Sequence, residues 1–570
     1  MNHESRRLTR PAWWQLGALV HFMATFFWDK LIFRTDTYGF GLEVLDDTVT
    51  LETERLIHQL SARGLSLVLI LGVWYLGYRL VRGDFSKKEL LAFWGIFLGF
   101  SLLNLLFFPE SFTLMEWDNV IAYSYSIRNI PFYWHNALTT IYYAACFYLF
   151  PFPLVVQELS LAAYSGLAVF CFFRLKRARL FALFLLVMPE AWALATNPYR
   201  NDLYALVLLW TTVLILSLWE RQAIPSPVCS LGLTFLLAIL AVWRSEGILF
   251  SLMLLSLFLF LRWNTGLPRL LGWAALWAAL VVALGIPQKI GTQKYYGSDY
   301  TIVTTMGWLQ PILNQENANL SYSGAEEDLA AIEAVTPLEW IQEGGITGYR
   351  SYNVSQGRDI NQSGADSRTR EEYTPAAFRL ILHNLPAFIL DRLNLFLEAN
   401  RFPSPLTVPQ YTGTPNPFPE DTFQEYTTLL DQGLEELYNG SNPLVSRWYR
   451  SSFRSIVRQR LDALGDAWQQ LSGLVNLRLF AYAFSLGYPL LWVIRQLKLL
   501  RQGSRVLAKH WDTALLFLIG AGELGLVTLG APEPREVYYY PVYFFLTLLM
   551  LRTLEGRFLQ WNKERKLTHG

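Results

Sequence analysis

The chain has 570 residues, of which 53% are hydrophobic, 15% aromatic and only 16% charged, and its mean hydropathy is +0.25. A soluble domain carries roughly a quarter charged residues, so this deficit, together with apolar runs about one bilayer long, excludes a soluble enzyme and puts most of the chain in lipid. The 47 Lys and Arg against 46 Asp and Glu leave a net charge of +1, which points to no nucleic-acid or acidic partner.

About 20 apolar residues cross a ~30 Å hydrocarbon core as a helix. On that criterion the sequence predicts an all-α polytopic membrane protein of about twelve spans, near 12 to 33, 64 to 82, 90 to 108, 154 to 173, 179 to 195, 203 to 219, 227 to 243, 246 to 262, 268 to 286, 475 to 494, 511 to 530 and 537 to 552. The opening MNHESRRLTR leads into a segment too long and too aromatic for a cleaved signal, with no small-residue cleavage site, so it reads as a retained first span. An acidic loop holding Glu43, Asp46, Asp47, Glu52 and Glu54 follows.

Basic clusters orient the spans. Arg6, Arg7 and Arg10 precede the first. Arg79, Arg82, Lys87 and Lys88 flank the turn after the second, and Arg174, Lys176, Arg177 and Arg179 come two spans later. Arg495, Lys498, Arg501, Arg505 and Lys509 precede span eleven, and Arg552, Arg557, Lys563, Arg565 and Lys566 follow span twelve. Twelve spans put all five clusters on one side, and both termini in the cytoplasm. Residues 137 to 150 (ALTTIYYAACFYLF) are apolar but only fourteen long, and counting them as a span would move Arg174 to Arg179 outside. They read as an interfacial or re-entrant helix. Three modules result: 1 to 286 with nine spans, an exoplasmic and mostly helical region from 287 to 474, and a C-terminal module from 475 to 570. Within the middle region, Ala376 to Ala399 repeats apolar residues at three- and four-residue steps and reads as one amphipathic helix. Cys146, Cys171 and Cys229 lie in apolar stretches without metal-ligand spacing and read as packing residues.

Three outer turns each present an acid and a base. The first is EWDNVIAYSYSIRNIPFYWHN, from Glu116 to Asn136; the second holds Arg200 and Asp202; the third holds Arg244 and Glu246. Arginine offers a planar fork to phosphate oxygens, so the set suits a substrate with an anionic headgroup and a lipid tail, and calls for neither metal nor cofactor. The plainer alternative is that Arg200 with Asp202, and Arg244 with Glu246, neutralise one another. Glu523, in the middle of span eleven, is a costly intramembrane acid that must face protein or water. Glu190, beside Pro189 near the outer end of span five, lies close to the proposed site.

The run EWDNVIAYSYSIRNIPFYWHNALTTIYYAACFYLFPFPLVVQELSLAAYSGLAVFCFFRL resembles the start of the GT-C superfamily of polytopic glycosyltransferases, which includes protein mannosyltransferases and lipid A aminoarabinose transferases. On that resemblance Asp118 stands at the catalytic acid, Tyr123 or Tyr125 at the following tyrosine, and Tyr133, Trp134 and His135 in place of a His-Pro-Pro-like stretch. NPYRNDLYALVLLW is similar to the second outer loop, with Arg200 and Asp202 matching, and APEPREVYYYPVYFFLTLL supplies Arg535 and Tyr538. The resemblance implies a polyprenyl-phosphate sugar donor and an inverting transfer to an acceptor at the outer face. Asp118 would act as base, Arg200, Arg244 and Arg535 would steady the departing lipid phosphate, and Glu116 or Asp202 would orient them. A bacterial cytoplasmic membrane is the expected setting. The rival readings are a transporter or flippase of a lipid-linked precursor, coupled through Glu523, and a catalytically silent accessory subunit on the same scaffold.

Overall fold

A computed structural model describes residues 13–35, 48–107, 117–134, 136–152, 154–295, 299–314, 318–342, 367–400, 452–453, 456–457, 460, 477–502, 511–531 and 536–569. Among these the regular structure is helical, with no strand. Among the described residues seven helices are long and apolar enough to cross a membrane: Glu52–Val81, Lys87–Leu105, Val155–Phe173, Arg200–Arg221, Leu267–Tyr295, Leu477–Arg501 and Trp511–Gly530. Two bent pairs raise the number to nine if each is one span.

The differences from the expected elements have local causes. The expected fifth span, 179 to 195, bends by 80° between Arg179–Val187 and Glu190–Thr196. Met188 is extended there, and Pro189 opens the next helix, because proline disfavours a helical residue before it. The seventh and eighth expected spans are short helices, Pro227–Trp243 and Ile248–Leu261. In the first, helix Trp13–Ala24 stops after 12 residues. The Ala376 to Ala399 stretch is not one helix but a 90° pair, Glu371–His383 and Leu385–Ala399. Asn384 sits at the break and Pro386 falls in the first turn of the second helix. Glu52 and Glu54 are not in a loop, since helix Thr48–Val81 already contains them; Glu43, Asp46 and Asp47 lie outside the described residues.

The described residues form two compact units interleaved along the chain. The first takes residues from Met1–Leu284, Thr428–Leu518 and Tyr543–Gly570, the second from Gly285–Thr427 and Ile519–Val542.

In the first unit, Ala137–Leu149 is a short helix as the sequence suggests, and it is buried along most of its length. Ala144 packs with Ala62 of the Thr48–Val81 helix, small residues of the kind that let helix backbones approach where lipid supplies no hydrophobic drive. The Trp13–Ala24 helix lies equally close, since a Cβ on Gly17 would stand 2.5 Å from the Trp74 ring. His21 Nε2 meets the Leu149 carbonyl at 3.0 Å, and Trp28 Nε1 donates to the Tyr148 carbonyl at 3.1 Å. Arg63, within the Glu52–Val81 span, is sandwiched between the Phe26 ring at 3.9 Å and the Tyr148 ring at 4.3 Å, and donates to Thr25 Oγ1 at 3.1 Å. A buried guanidinium in a membrane helix needs such cation–π and hydrogen-bond partners.

Three of the five basic clusters meet at one end of this unit. Arg79 pairs with Asp84, and Arg174 with Glu89. Arg174 also donates to the Asp84 carbonyl at 3.0 Å. Glu220 accepts from Arg552 at 3.1 Å and from the Lys176 amide at 3.2 Å, while Glu555 accepts from the Leu180 amide at 3.2 Å.

The second unit has its own core, in which Ile302, Met306, Leu309 and Ile312 pack with Ile332, Ile341, Tyr373 and Leu380. Asp328 accepts from Arg379 at 2.6 Å and from Tyr322 at 2.7 Å. Burial alone would raise the Asp328 carboxyl, but these hydrogen bonds and the Arg379 charge outweigh it and hold the group below the ordinary carboxylate range. Arg392 is fully buried; it bonds Asp391 and donates to the Ala531 carbonyl at 2.7 Å.

Candidate functional site

The first unit draws three turns together at the end away from the basic contacts. Tyr199 is extended (φ −60°, ψ 147°), and the helix begins at Arg200, with no side-chain hydrogen bond from the Tyr199 cap. The first N–H groups of a helix lack intrahelical acceptors, and the helix dipole adds partial positive charge there. A side-chain acceptor normally answers both. Here the first turn carries Arg200, Asn201 and Asp202 instead.

Arg244 arrives from a different turn. It is extended (φ −130°, ψ 146°) between helix Pro227–Trp243 and the single 3-10 turn Ser245–Gly247. Its buried guanidinium donates to the Glu246 carboxylate and to Asn201 Oδ1, with the Tyr204 ring 5.8 Å away. The approach is tight: a Cβ on Gly247 would lie 2.1 Å from the Leu240 carbonyl oxygen and 2.5 Å from the Tyr204 hydroxyl. Gly247 is required for space, since its own φ is −62° and strains nothing.

The third turn closes the junction. Asn136 has φ 77° and ψ 123°, a positive-φ backbone conformation that residues other than glycine rarely adopt. Its Oδ1 caps Leu138 N at 3.0 Å while Nδ2 donates to the Val242 carbonyl at 2.7 Å. Trp243 Nε1 donates to Thr139 Oγ1 at 3.0 Å, and the Tyr143 hydroxyl to the Pro198 carbonyl at 2.7 Å.

Not every polar atom in the junction is matched. Asp202 Oδ2 accepts from Asn197 Nδ2 at 2.6 Å. Arg200 Nε, Asn201 Nδ2 and Asp202 Oδ1 are buried and have no hydrogen-bond partner among the described residues. Buried polar groups are normally satisfied, and three exceptions on three consecutive residues mark a place for polar atoms of something other than this chain. Two of the three, Arg200 Nε and Asn201 Nδ2, are donors beside a helix N-terminus, where an anion can be held, and the third, Asp202 Oδ1, is an acceptor.

The residues expected to act together fare unequally. Arg200, Asp202 and Arg244 belong to one junction. Arg244 pairs with Glu246, as the neutralising alternative has it, whereas Asp202 is held by Asn197 and not by Arg200. Asp118 lies in the first turn of helix Trp117–Ile127; its side chain, and the whole of Glu116, His135 and Arg535, fall outside the described residues. Tyr123 is buried edge-on against Phe147 at 5.1 Å, and Tyr125 packs on Phe132 at 5.0 Å. Tyr538 is half-buried near the start of helix Glu536–His569 and belongs to the second unit. Glu190 accepts from the Tyr543 hydroxyl at 2.8 Å and stands 3.6 Å from Arg478. Glu523 is fully buried in helix Trp511–Gly530. Of the cysteines, Cys146 and Cys171 are buried and Cys229 is exposed, so packing fits the first two.

Residues the sequence did not single out carry the junction: Asn136, Asn197, Asn201, Tyr204 and Gly247. The available signal was the density of asparagines at span ends, where short amides bond backbone groups that helices leave open. No family model, no curated protein and no solved structure matches the chain.

Proposed function

We propose that the protein is a membrane glycosyltransferase of GT-C-like architecture with about twelve spans, some of them short or bent. It moves a sugar from a polyprenyl-phosphate donor to an acceptor at the outer face of a bacterial cytoplasmic membrane. The observation that carries this reading is the contact between Arg244 and Asn201, which joins two turns distant in the chain into one polar junction with unmatched donors. An anionic group at the membrane boundary is what such a junction would hold. Arg200 and Arg244 steady the lipid phosphate as it leaves, and preorganised donors of this kind act where charge develops. Asp118 takes the proton of the acceptor hydroxyl, with Glu116, Asp202, His135, Tyr123, Arg535 and Tyr538 in supporting roles. Departure of the sugar's phosphate as an anion requires no general acid.

The test is Asp118→Asn. Turnover of a polyprenyl-phosphate sugar should fall by roughly a hundredfold or more, the scale of one general base, with donor binding retained. Unchanged sugar transfer would sink the mechanism. A second reading, transport of a lipid-linked precursor, draws on the buried Glu523. That reading requires flux to survive Asp118→Asn and to fail in Glu523→Gln.

A further inference from the structure

We infer that Asn201 is a direct ligand of the bound anion, its side-chain Nδ2 donating to a phosphate oxygen, in addition to holding Arg244. The inference rests on the reading of the junction as an anion site and adds a residue and a recognition rule to it.

The amide orientation follows from its neighbour. A guanidinium has donors and no acceptor, so the Asn201 atom that meets Arg244 Nη1 is Oδ1. Nδ2 therefore occupies the other branch of the amide, carrying two N–H bonds. Asn201 is completely buried, and Nδ2 has no acceptor among the described residues. Leaving a buried amide donor unmatched costs about 1–3 kcal/mol, a cost that a bound acceptor removes. The position on the helix identifies the acceptor's charge. Asn201 is in the first turn of Arg200–Arg221, whose cap residue supplies no side-chain acceptor, and Arg200 Nε is unmatched beside it. Open backbone N–H groups, a helix dipole and two side-chain donors favour an oxyanion over a neutral carbonyl. Tetrahedral phosphate, with several oxygens, can take Nδ2 and an arginine at once.

Asn201→Asp separates a ligand from a scaffold. The variant keeps an oxygen facing Arg244, so the contact between the turns is preserved, but it replaces the donor with a second acceptor bearing negative charge. Binding of dodecyl phosphate to the full-length protein in detergent should weaken by roughly tenfold or more, with the thermal unfolding midpoint held or raised. Inorganic phosphate run as competitor separates the sources: displacement by it alone assigns the site to a free phosphate, and failure to displace assigns it to a lipid headgroup, with the same donor in both cases. Should Asn201→Asp not fold, the pair Arg244→Ala and Arg244→Ala with Asn201→Ala carries the test, because with the tether already gone the second change must still weaken binding. Equal affinity of Asn201→Asp and wild type, or of the single and double alanine variants, overturns the assignment of Asn201 while leaving the anion site standing. Failure of the wild type to bind either phosphate overturns the anion site itself.

Discussion

The two ends of helix Arg200–Arg221 differ in how their charges are settled. Its 22 residues place the ends roughly 33 Å apart at 1.5 Å per residue. At the Glu220 end each nearby carboxylate has a donor: Glu220 takes Arg552, Glu89 takes Arg174, Asp84 takes Arg79 and Glu555 takes a backbone amide. At the Arg200 end the polar side chains are as deeply buried, yet one atom on each of three successive residues is unmatched. Both ends look alike in sequence, as acids and bases at a span terminus. What distinguishes them is how far they are satisfied: the Glu220 end leaves Arg552 Nε without a partner, against one atom on each of three successive residues at the Arg200 end, and unmatched atoms cost stability unless a ligand completes them.

Three substitutions break or sharpen that contrast. The largest effect is expected for Gly247→Val, which drives side-chain atoms into the Leu240 carbonyl and the Tyr204 hydroxyl. Overpacking against backbone costs about 3 kcal/mol, so the unfolding midpoint should drop sharply and phosphate binding should vanish with it. A midpoint equal to wild type would mean that the 244–247 turn does not pack as described. Next is Glu220→Gln, which strips the charge facing Arg552 and the Lys176 amide. Loss of a buried charged partner is worth about 2–3 kcal/mol; stability should fall while dodecyl phosphate affinity is unchanged. If affinity fell in step with stability, the two ends would not be independent.

The smallest effect belongs to a matched pair whose arginine is half-exposed, Asp328 with Arg379 in the second unit, at 3% and 56% side-chain exposure. Asp328 titrates below its unfolded value. Its contribution is therefore fully present above the unfolded aspartate pKa of about 3.9 and is lost as pH falls through the folded value. Stability followed downward through about pH 4 should decline less steeply in Asp328→Asn than in wild type. Identical slopes would remove Asp328 from the acid response.

Much of the helical architecture was legible because apolar length is a one-dimensional property. Seven expected spans coincide with long apolar helices. The errors fall where length and geometry part company. Met188–Pro189 and Asn384 with Pro386 interrupt apolar runs whose composition alone is continuous. The start of Thr48–Val81 was hidden because Glu52, Glu54, Arg55, His58 and Arg63 depress hydropathy where the helix is already formed. His58 and Arg63 are nonetheless buried, with His58 Nε2 3.1 Å from Thr140 Oγ1. The candidate site was legible as charge at span ends, which brought out Arg200, Asp202 and Arg244. Asn201 was not, because an amide carries no charge and its role depends on which of its two branches a distant arginine occupies.

The Arg63 sandwich also sets an order of events in synthesis. Phe26 and Thr25 precede Arg63 in the chain, but Tyr148, its other ring, follows by 148 − 63 = 85 residues. At about 5–20 residues per second, the guanidinium waits roughly 4 to 17 seconds for its second face. During that interval only Thr25 and Phe26, just past the end of the Trp13–Ala24 helix, are available to cover it.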